Sequence, residues 1–128
     1  MSENEIAFGK FIEERRKALG FSLRGFAAEL EIAPAYMSDI EKGRRYPPDK
    51  KLDEIAHLLN LHGDDKSHML DLAAMAKTKT VSADLPEYIM EKDLARVALR
   101  KARDVKLSDD GWREVIGLIN SKKTDIEE

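Results

Sequence analysis

Five basic side chains fall within ten residues of this chain, at positions 42–51. They are Lys42, Arg44, Arg45, Lys50 and Lys51. Ammonium and guanidinium groups bind phosphate through charge-assisted hydrogen bonds, so such a cluster suits a polyanionic ligand. The net charge of the whole chain is −3, but salt screens charges more than about 8–10 Å apart, and the local cluster therefore decides phosphate binding. The alternative is a solvated loop with incidental charge.

The residues before this cluster predict two short helices joined by a tight turn. Ser22 is a typical N-cap, and the apolar residues after it are spaced for one helical face. The break at 31–33 forces a sharp turn, Pro34 suits the first position of a second helix, and Gly43 ends that helix. This arrangement leaves the outer face of the second helix free to lie in a DNA major groove.

Residues 22–48 resemble the helix-turn-helix domain of repressor/Cro-like (XRE-type) regulators of bacteria and phages. The resemblance rests on the motifs F-S-L-R-x-F-A, I-x-P-x-Y-M-S-D-I-E-K-G and R-R-Y-P-P. It extends over roughly residues 5–75 and implies an all-α fold, a five-helix lambda-repressor-like domain followed here by a small C-terminal helical module.

The first predicted helix begins at a capping box formed by Ser2 and Glu5 and ends near Leu19, before Gly20. The apolar side chains on its predicted core side are Ile6, Phe8 or Phe11, Ile12 and Leu19. Asp49 is predicted to cap a fourth helix, and a fifth covers about 65–76.

Three segments follow from these patterns: the DNA-binding domain at 1–76, a polar linker at 77–84 and a helical module at 85–128. In the module we predict one helix capped by Asp93 and ending at about Val105, and another opened by Ser108, with a charged tail that frays from about Ser121. Residues 86–119 are too few for an independent core, so their apolar stripes must pack on the first domain, on a second copy, or on both. Trp112 is interpreted as a core or interface anchor.

Aligned by motif, the resemblance implies ten residues at the DNA. They are Ser22, Arg24, Pro34, Ala35, Tyr36, Ser38, Asp39, Lys42, Arg44 and Arg45. Ser22 and the first amides of the second helix face a phosphate. Lys42, Arg44 and Arg45 are backbone clamps that set affinity and salt dependence, whereas Lys50 and Lys51 are secondary candidates, expected to be solvated.

The resemblance implies that residues 34, 35, 38 and 39 face base edges. Pro34 and Ala35 suit a thymine methyl group, Ser38 donates or accepts, and Asp39 accepts from a cytosine amino group. Because this face has none of the side chains that bind purines bidentately, part of the specificity is expected from DNA shape, or from Arg44 and Arg45 in a groove.

Three side chains on this surface keep a structural alternative. Arg24 contacts DNA or is a solvated surface arginine, and Tyr36 packs or donates to a phosphate. Asp39 reads a base or forms an ion pair with Arg44 or Arg45. Glu41 is interpreted as structural, paired with Arg15 or Arg16.

The composition argues against other kinds of site. The chain has no cysteine, which excludes disulfides and thiolate metal sites. His57, His62 and His68 do not have the i, i+4 spacing that aligns two metal ligands on a helix. No phosphate loop, nucleophile motif or catalytic carboxylate pair is recognised. We therefore expect no cofactor, no metal and no enzymatic activity.

The basic residues between 92 and 106 form either a solvated face or a second nucleic-acid surface.

The sequence thus predicts a sequence-specific DNA-binding transcriptional regulator, a repressor that binds an inverted-repeat operator in double-stranded DNA as a homodimer. An alternative is an antitoxin or immunity-type component in which residues 85–121 bind a partner protein and DNA binding is autoregulatory. A third is a domain that kept the fold and no longer binds DNA, because the face at Pro34 and Ala35 is weak. No signal peptide or membrane-spanning run is found, which favours a cytoplasmic protein.

Overall fold

The computed structural model describes residues 3–77 and 80–127, which form eight α-helices and no strand. The helices are α1 (Glu3–Ala18), α2 (Leu23–Glu29), α3 (Pro34–Glu41), α4 (Asp49–Leu58), α5 (Gly63–Met75), α6 (Pro86–Glu91), α7 (Asp93–Asp104) and α8 (Asp109–Glu127). The expectation of an all-α protein is confirmed. No helix in the described part of the chain is long and apolar enough to cross a membrane.

The chain divides into two compact units. Unit 1 is Met1–Pro86 and unit 2 is Glu87–Glu128. Two sequence predictions fall partly on residues outside the described ranges: the cap at Ser2, and the linker at 77–84, which contains residues 78 and 79.

Unit 1 has a continuous apolar core to which all five of its first helices contribute. From α1, Phe8 and Ile12 are fully buried. The assignment of Ile6 and Leu19 to this core was wrong, since their side chains are 42% and 49% exposed. Ile6 lies on another side of α1, and Leu19 follows the last residue of the helix.

Helix α1 packs against the C-terminal end of α3 at a glycine. A Cβ atom on Gly9 would lie 2.4 Å from the carbonyl oxygens of Ile40 and Glu41, far inside contact distance. Only glycine lets the two backbones approach this closely, so the crossing of the two helices depends on a single residue.

A buried ion pair holds the same two helices together. Arg16 Nε donates to Glu41 Oε2 at 2.7 Å and Nη2 donates to Oε1 at 3.0 Å, while Nη1 donates to the carbonyl oxygen of Phe21 at 2.8 Å. The hydrogen bond to Glu41 raises the pKa of the Arg16 guanidinium and outweighs the opposing effect of burial. Glu41 is structural, as predicted; Arg15 instead lies 3.7 Å from Asp65.

Local signals set the ends of α2 and α3 as the sequence predicted. Ser22 Oγ accepts from the backbone N–H of Gly25 at 3.0 Å, and Pro34 occupies the first turn of α3. Between the helices Glu31 has a φ of 58°, and the N–H of Ile32 donates to the carbonyl oxygen of Ala27 at 3.0 Å. This is the hydrogen bond of a Schellman motif, here built on a residue other than glycine.

Four further boundaries differ from the prediction. The N-cap of α7 is Lys92, and Asp93 is the first residue inside that helix. The N-cap of α4 is Pro48, whose extended backbone precedes the helix, and Asp49 is the first residue inside it. Helix α5 begins at Gly63, two residues early. Helix α8 continues to Glu127 rather than fraying from Ser121.

Unit 2 has helices but no core of its own. Of the side chains described between residues 83 and 123, none is buried. Ser108 caps α8 as predicted, because its Oγ accepts from the N–H of Gly111 at 3.0 Å. Exposed large apolar side chains occur along the unit at Tyr88, Met90, Leu94, Val97, Leu99, Val105, Trp112, Ile116, Leu118 and Ile119.

We expect Glu41→Ala to destabilise the protein by about 3–5 kcal/mol, because it leaves the buried guanidinium of Arg16 without its charge partner. The free energy of unfolding from urea titration followed by circular dichroism measures this change. Asp53→Ala is the matched control, since Asp53 is 78% exposed and pairs with Lys66 at 3.1 Å; exposed pairs are worth about 0.2–1 kcal/mol. Equally small changes in both variants would contradict a structural role for the buried pair.

Candidate nucleic-acid interface

The outward face of α3 carries the four residues predicted to meet base edges. Pro34 and Ala35 are exposed, and Ser38 and Asp39 are half-buried. The opposite face, with Met37 and Ile40 fully buried, packs into the core of unit 1. The positions i, i+1, i+4 and i+5 share one side of a helix, so the structure brings these four side chains together on one surface.

Three exposed cations follow α3 directly, and we call Lys42, Arg44 and Arg45 the basic clamp. Gly43, with a φ of 79°, turns the chain away from the helix axis. The N–H of Arg44 then donates to the carbonyl oxygen of Asp39 at 2.9 Å. The clamp is therefore anchored by backbone geometry to the end of the predicted recognition helix, although its side chains remain in solvent.

Arg45 and Tyr36 interact directly. The guanidinium carbon of Arg45 lies 4.1 Å from the centroid of the Tyr36 ring, a cation–π contact. The Tyr36 hydroxyl donates to the carbonyl oxygen of Tyr46 at 2.9 Å. Of the two roles left open for Tyr36, the structure assigns its ring to packing and its proton to Tyr46.

Asp39 is close enough to Arg44 for the ion pair considered from the sequence. Asp39 Oδ1 and Arg44 Nη1 are 3.8 Å apart, and the Arg44 side chain is 60% exposed. A long, solvated pair of this kind is weak. Both groups can therefore exchange their contact for one with DNA.

The start of α2 presents Ser22 and Arg24. Both residues are exposed. The Ser22 oxygen already caps the helix by accepting from Gly25, so a hydrogen bond to phosphate would use the hydroxyl as donor. Helix α2 packs directly on α3. The two segments predicted to contact DNA therefore have a fixed position relative to each other.

The two more distant lysines differ. Lys50 is exposed. Lys51 is not the solvated cation that the sequence predicted: its Nζ donates to the carbonyl oxygen of Leu30 at 2.8 Å and lies 3.3 Å from Glu54. It closes the C-terminal end of α2 against α4, a role that depends on tertiary contact and has no signal in the local sequence.

Tyr46 was also missed by the sequence analysis. Its hydroxyl donates to the carbonyl oxygen of Ala76 at 2.6 Å, and Lys77 Nζ lies 5.7 Å from its ring centroid. The residue connects the loop after α3 to the end of α5.

In the described part of the chain no group of three or more histidine or acidic residues is placed to hold a metal ion.

Comparison with known proteins identifies a family. A family model described as helix-turn-helix matches residues 12–66. Over 63 residues, which are 49% of this chain and 90% of the relative, the chain is 35% identical to an uncharacterized HTH-type transcriptional regulator of Bacillus subtilis (strain 168), YazB. The matched family consists of DNA-binding transcriptional regulators rather than enzymes.

Two solved structures are partly similar. The clp gene regulator ClgR from Corynebacterium glutamicum is 25% identical, with a TM-score of 0.48 over 75% of this chain and 90% of that one. The SinR protein/SinI protein complex is 20% identical, with a TM-score of 0.45 over 91% and 98% of the respective chains. Likenesses at this level carry no conclusion about partners.

Replacing both arginines of the clamp, Arg44→Ala with Arg45→Ala, should weaken binding to all duplex sequences alike. DNA releases about one counterion for each phosphate that a cation neutralises, so we expect the slope of log K against log salt to become shallower by about one to two units. Fluorescence anisotropy titrations across a salt series measure this slope. Lys10→Ala with Lys17→Ala, which removes two exposed cations outside the clamp, should leave the slope unchanged. An unchanged slope in the arginine variant would remove both residues from the phosphate contacts.

Asp39→Ala should change the preferred base at one operator position if the carboxylate accepts from a cytosine amino group, a contact worth about 1–3 kcal/mol. Selection of bound duplexes with the variant and the parent protein gives the comparison. Unaltered preference, together with tighter binding to all sequences, would assign Asp39 to the pair with Arg44 alone, because its removal then only takes a negative charge from the surface.

Proposed function

Because this chain belongs to the helix-turn-helix family of DNA-binding transcriptional regulators, we propose that it represses transcription by binding an inverted-repeat operator as a homodimer. The observation that carries the proposal is the outward face of α3 beside the basic clamp. The exposed side of this helix carries short side chains, which in the proposal face base edges, and the three exposed cations after it are assigned to the phosphate backbones. In this proposal the face reads sequence and the clamp supplies affinity.

The composition of the α3 face supports a dimer. Pro34 and Ala35 offer only apolar contact, and Ser38 discriminates weakly among bases. A single helix with these residues has little power to select one site among the many competing sites of a genome. Two copies related by a two-fold axis place two such helices about 34 Å apart, one DNA turn, and double the number of base pairs read.

Unit 2 provides a surface for that dimer. Leu94, Val97 and Val105 on α7 and at its end are exposed, and so are Trp112 and Ile116 in the first turns of α8. Helix α8 has 19 residues without a described buried side chain, whereas helices in water are stabilised mainly by packing of an apolar face. A stable interface takes about 800 Å² from each partner, and α7 and α8 together are long enough to supply it.

The charges of these two helices are complementary. The last turns of α7 carry Arg100, Lys101 and Arg103, and the first turns of α8 carry Asp109 and Asp110. If α7 of one copy faces α8 of the other, unlike charges meet at both ends of a two-fold interface. A second copy is therefore the partner that this surface fits best.

A second candidate function rests on the same exposed side chains. If residues 85–121 bind a different protein, the chain is an antitoxin or immunity-type component, and DNA binding regulates its own synthesis. The matched helix-turn-helix segment ends at residue 66, so the family assignment leaves the partner of unit 2 open, and the mass of the purified chain in solution distinguishes the two functions.

Selection of bound sites from a random duplex pool tests the proposed function with the full chain. Enrichment of an inverted repeat with half-sites about one turn apart supports a dimeric, sequence-specific regulator. Occupancy of such a site across a promoter would then block transcription, which run-off transcription measures directly. A folded protein that enriches no sequence would reject the proposal and favour a domain that no longer binds DNA.

We expect Ile116→Asp with Ile119→Asp to weaken dimerisation by about 100-fold or more, because two apolar side chains that the partner would cover become charged. Sedimentation equilibrium of the full chain gives the dissociation constant. Ile6→Asp is the matched control, the same chemical change at a 42% exposed isoleucine of unit 1. A variant that dimerises as tightly as the parent would move the interface out of unit 2.

A further inference from the structure

Two tyrosine hydroxyls link α3, the loop after it and the end of α5. Tyr36 lies in α3, and its hydroxyl donates to the carbonyl oxygen of Tyr46 at 2.9 Å. The hydroxyl of Tyr46 in turn donates to the carbonyl oxygen of Ala76 at 2.6 Å. Ala76 is the C-cap of α5, so three segments distant in sequence are joined through two consecutive side chain–backbone bonds.

The second tyrosine is held from other directions as well. Lys77 Nζ lies 5.7 Å from the Tyr46 ring centroid and 3.4 Å from Asp49 Oδ1, which joins the end of α5 to the start of α4. Pro47, the next residue along the loop, is buried. The loop that carries the basic clamp is therefore fixed at its far end, although the clamp side chains are exposed.

Arg45 connects this network to the candidate interface. Its guanidinium lies over the face of the Tyr36 ring at 4.1 Å, and the orientation of that ring is fixed by the hydrogen bond to Tyr46. A long arginine side chain gives up rotamer freedom when it binds, and a side chain already restricted by stacking gives up less. The hydroxyl bonds of Tyr36 and Tyr46 and the stacked guanidinium of Arg45 therefore form one continuous set of contacts.

We propose that Tyr36 and Tyr46 form a hydroxyl relay that positions Arg45 for a phosphate contact and ties this position to the C-terminal end of α5. The proposal rests on the DNA-binding function proposed above, and both tyrosines act through Arg45 as positioning residues. Through the relay, the position of Arg45 depends on the conformation of the C-terminal end of α5.

The relay is tested by removing one hydroxyl at a time, in Tyr36→Phe and Tyr46→Phe, which keep the rings. In either variant we expect the NMR order parameter of the Arg45 Nε–Hε bond to fall from a rigid value toward about 0.6 or below. The salt slope of DNA binding should become shallower by about one unit, with about fivefold weaker binding at about 0.15 M salt. The double variant should be no worse than either single one, because both bonds serve the same end.

A matched control separates positioning from stability. Ile55→Val trims a fully buried side chain of α4 and should destabilise unit 1 without changing the order parameter or the slope. An order parameter of Arg45 that stays unchanged in Tyr46→Phe would overturn the relay, and so would additive effects in the double variant. If the parent protein binds no duplex, the proposed function fails, while the order parameters still decide whether the relay exists.

Discussion

The contact between α1 and the C-terminal end of α3 is the constraint on which the rest of unit 1 depends. Gly9 lets the backbones meet, and the buried pair of Arg16 and Glu41 makes two hydrogen bonds there. Burying two charges is costly unless they are fully paired, and here a further guanidinium N–H group is satisfied by a backbone carbonyl. Because the pair forms in only one rotation of α3, it also decides which side of α3 faces solvent.

The surface that results concentrates positive charge on a chain that is acidic overall. The net charge of −3 is a property of the whole chain, whereas salt screens charges more than about 8–10 Å apart, so the local cluster matters more for binding phosphate. Gly43 and the hydrogen bonds of Tyr36 and Tyr46 carry the chain out of α3 along a defined path. The basic clamp thus stands beside the helix that the proposal places in the major groove.

The two units are built on different principles. Unit 1 buries apolar side chains from five helices and has a complete core. Unit 2 caps α8 with Ser108 but leaves the apolar side chains of α7 and α8 exposed. Local signals are enough to define helices, whereas burial of apolar side chains needs a partner surface. A unit that has helices but leaves its apolar side chains exposed is therefore suited to association.

The sequence by itself determined the features that depend on neighbours within four residues: the cap at Ser22, the position of Pro34, the end of α3 near Gly43 and the cap at Ser108. It also identified the family, since the motif lies in one continuous segment. Only the tertiary structure decided that Ile6 is exposed, that Arg16 rather than Arg15 pairs with Glu41, and that Lys51 and Tyr46 bind backbone carbonyls. Those choices are made between residues 21 to 30 positions apart, or by which side of a helix meets the core, and no local pattern carries that information.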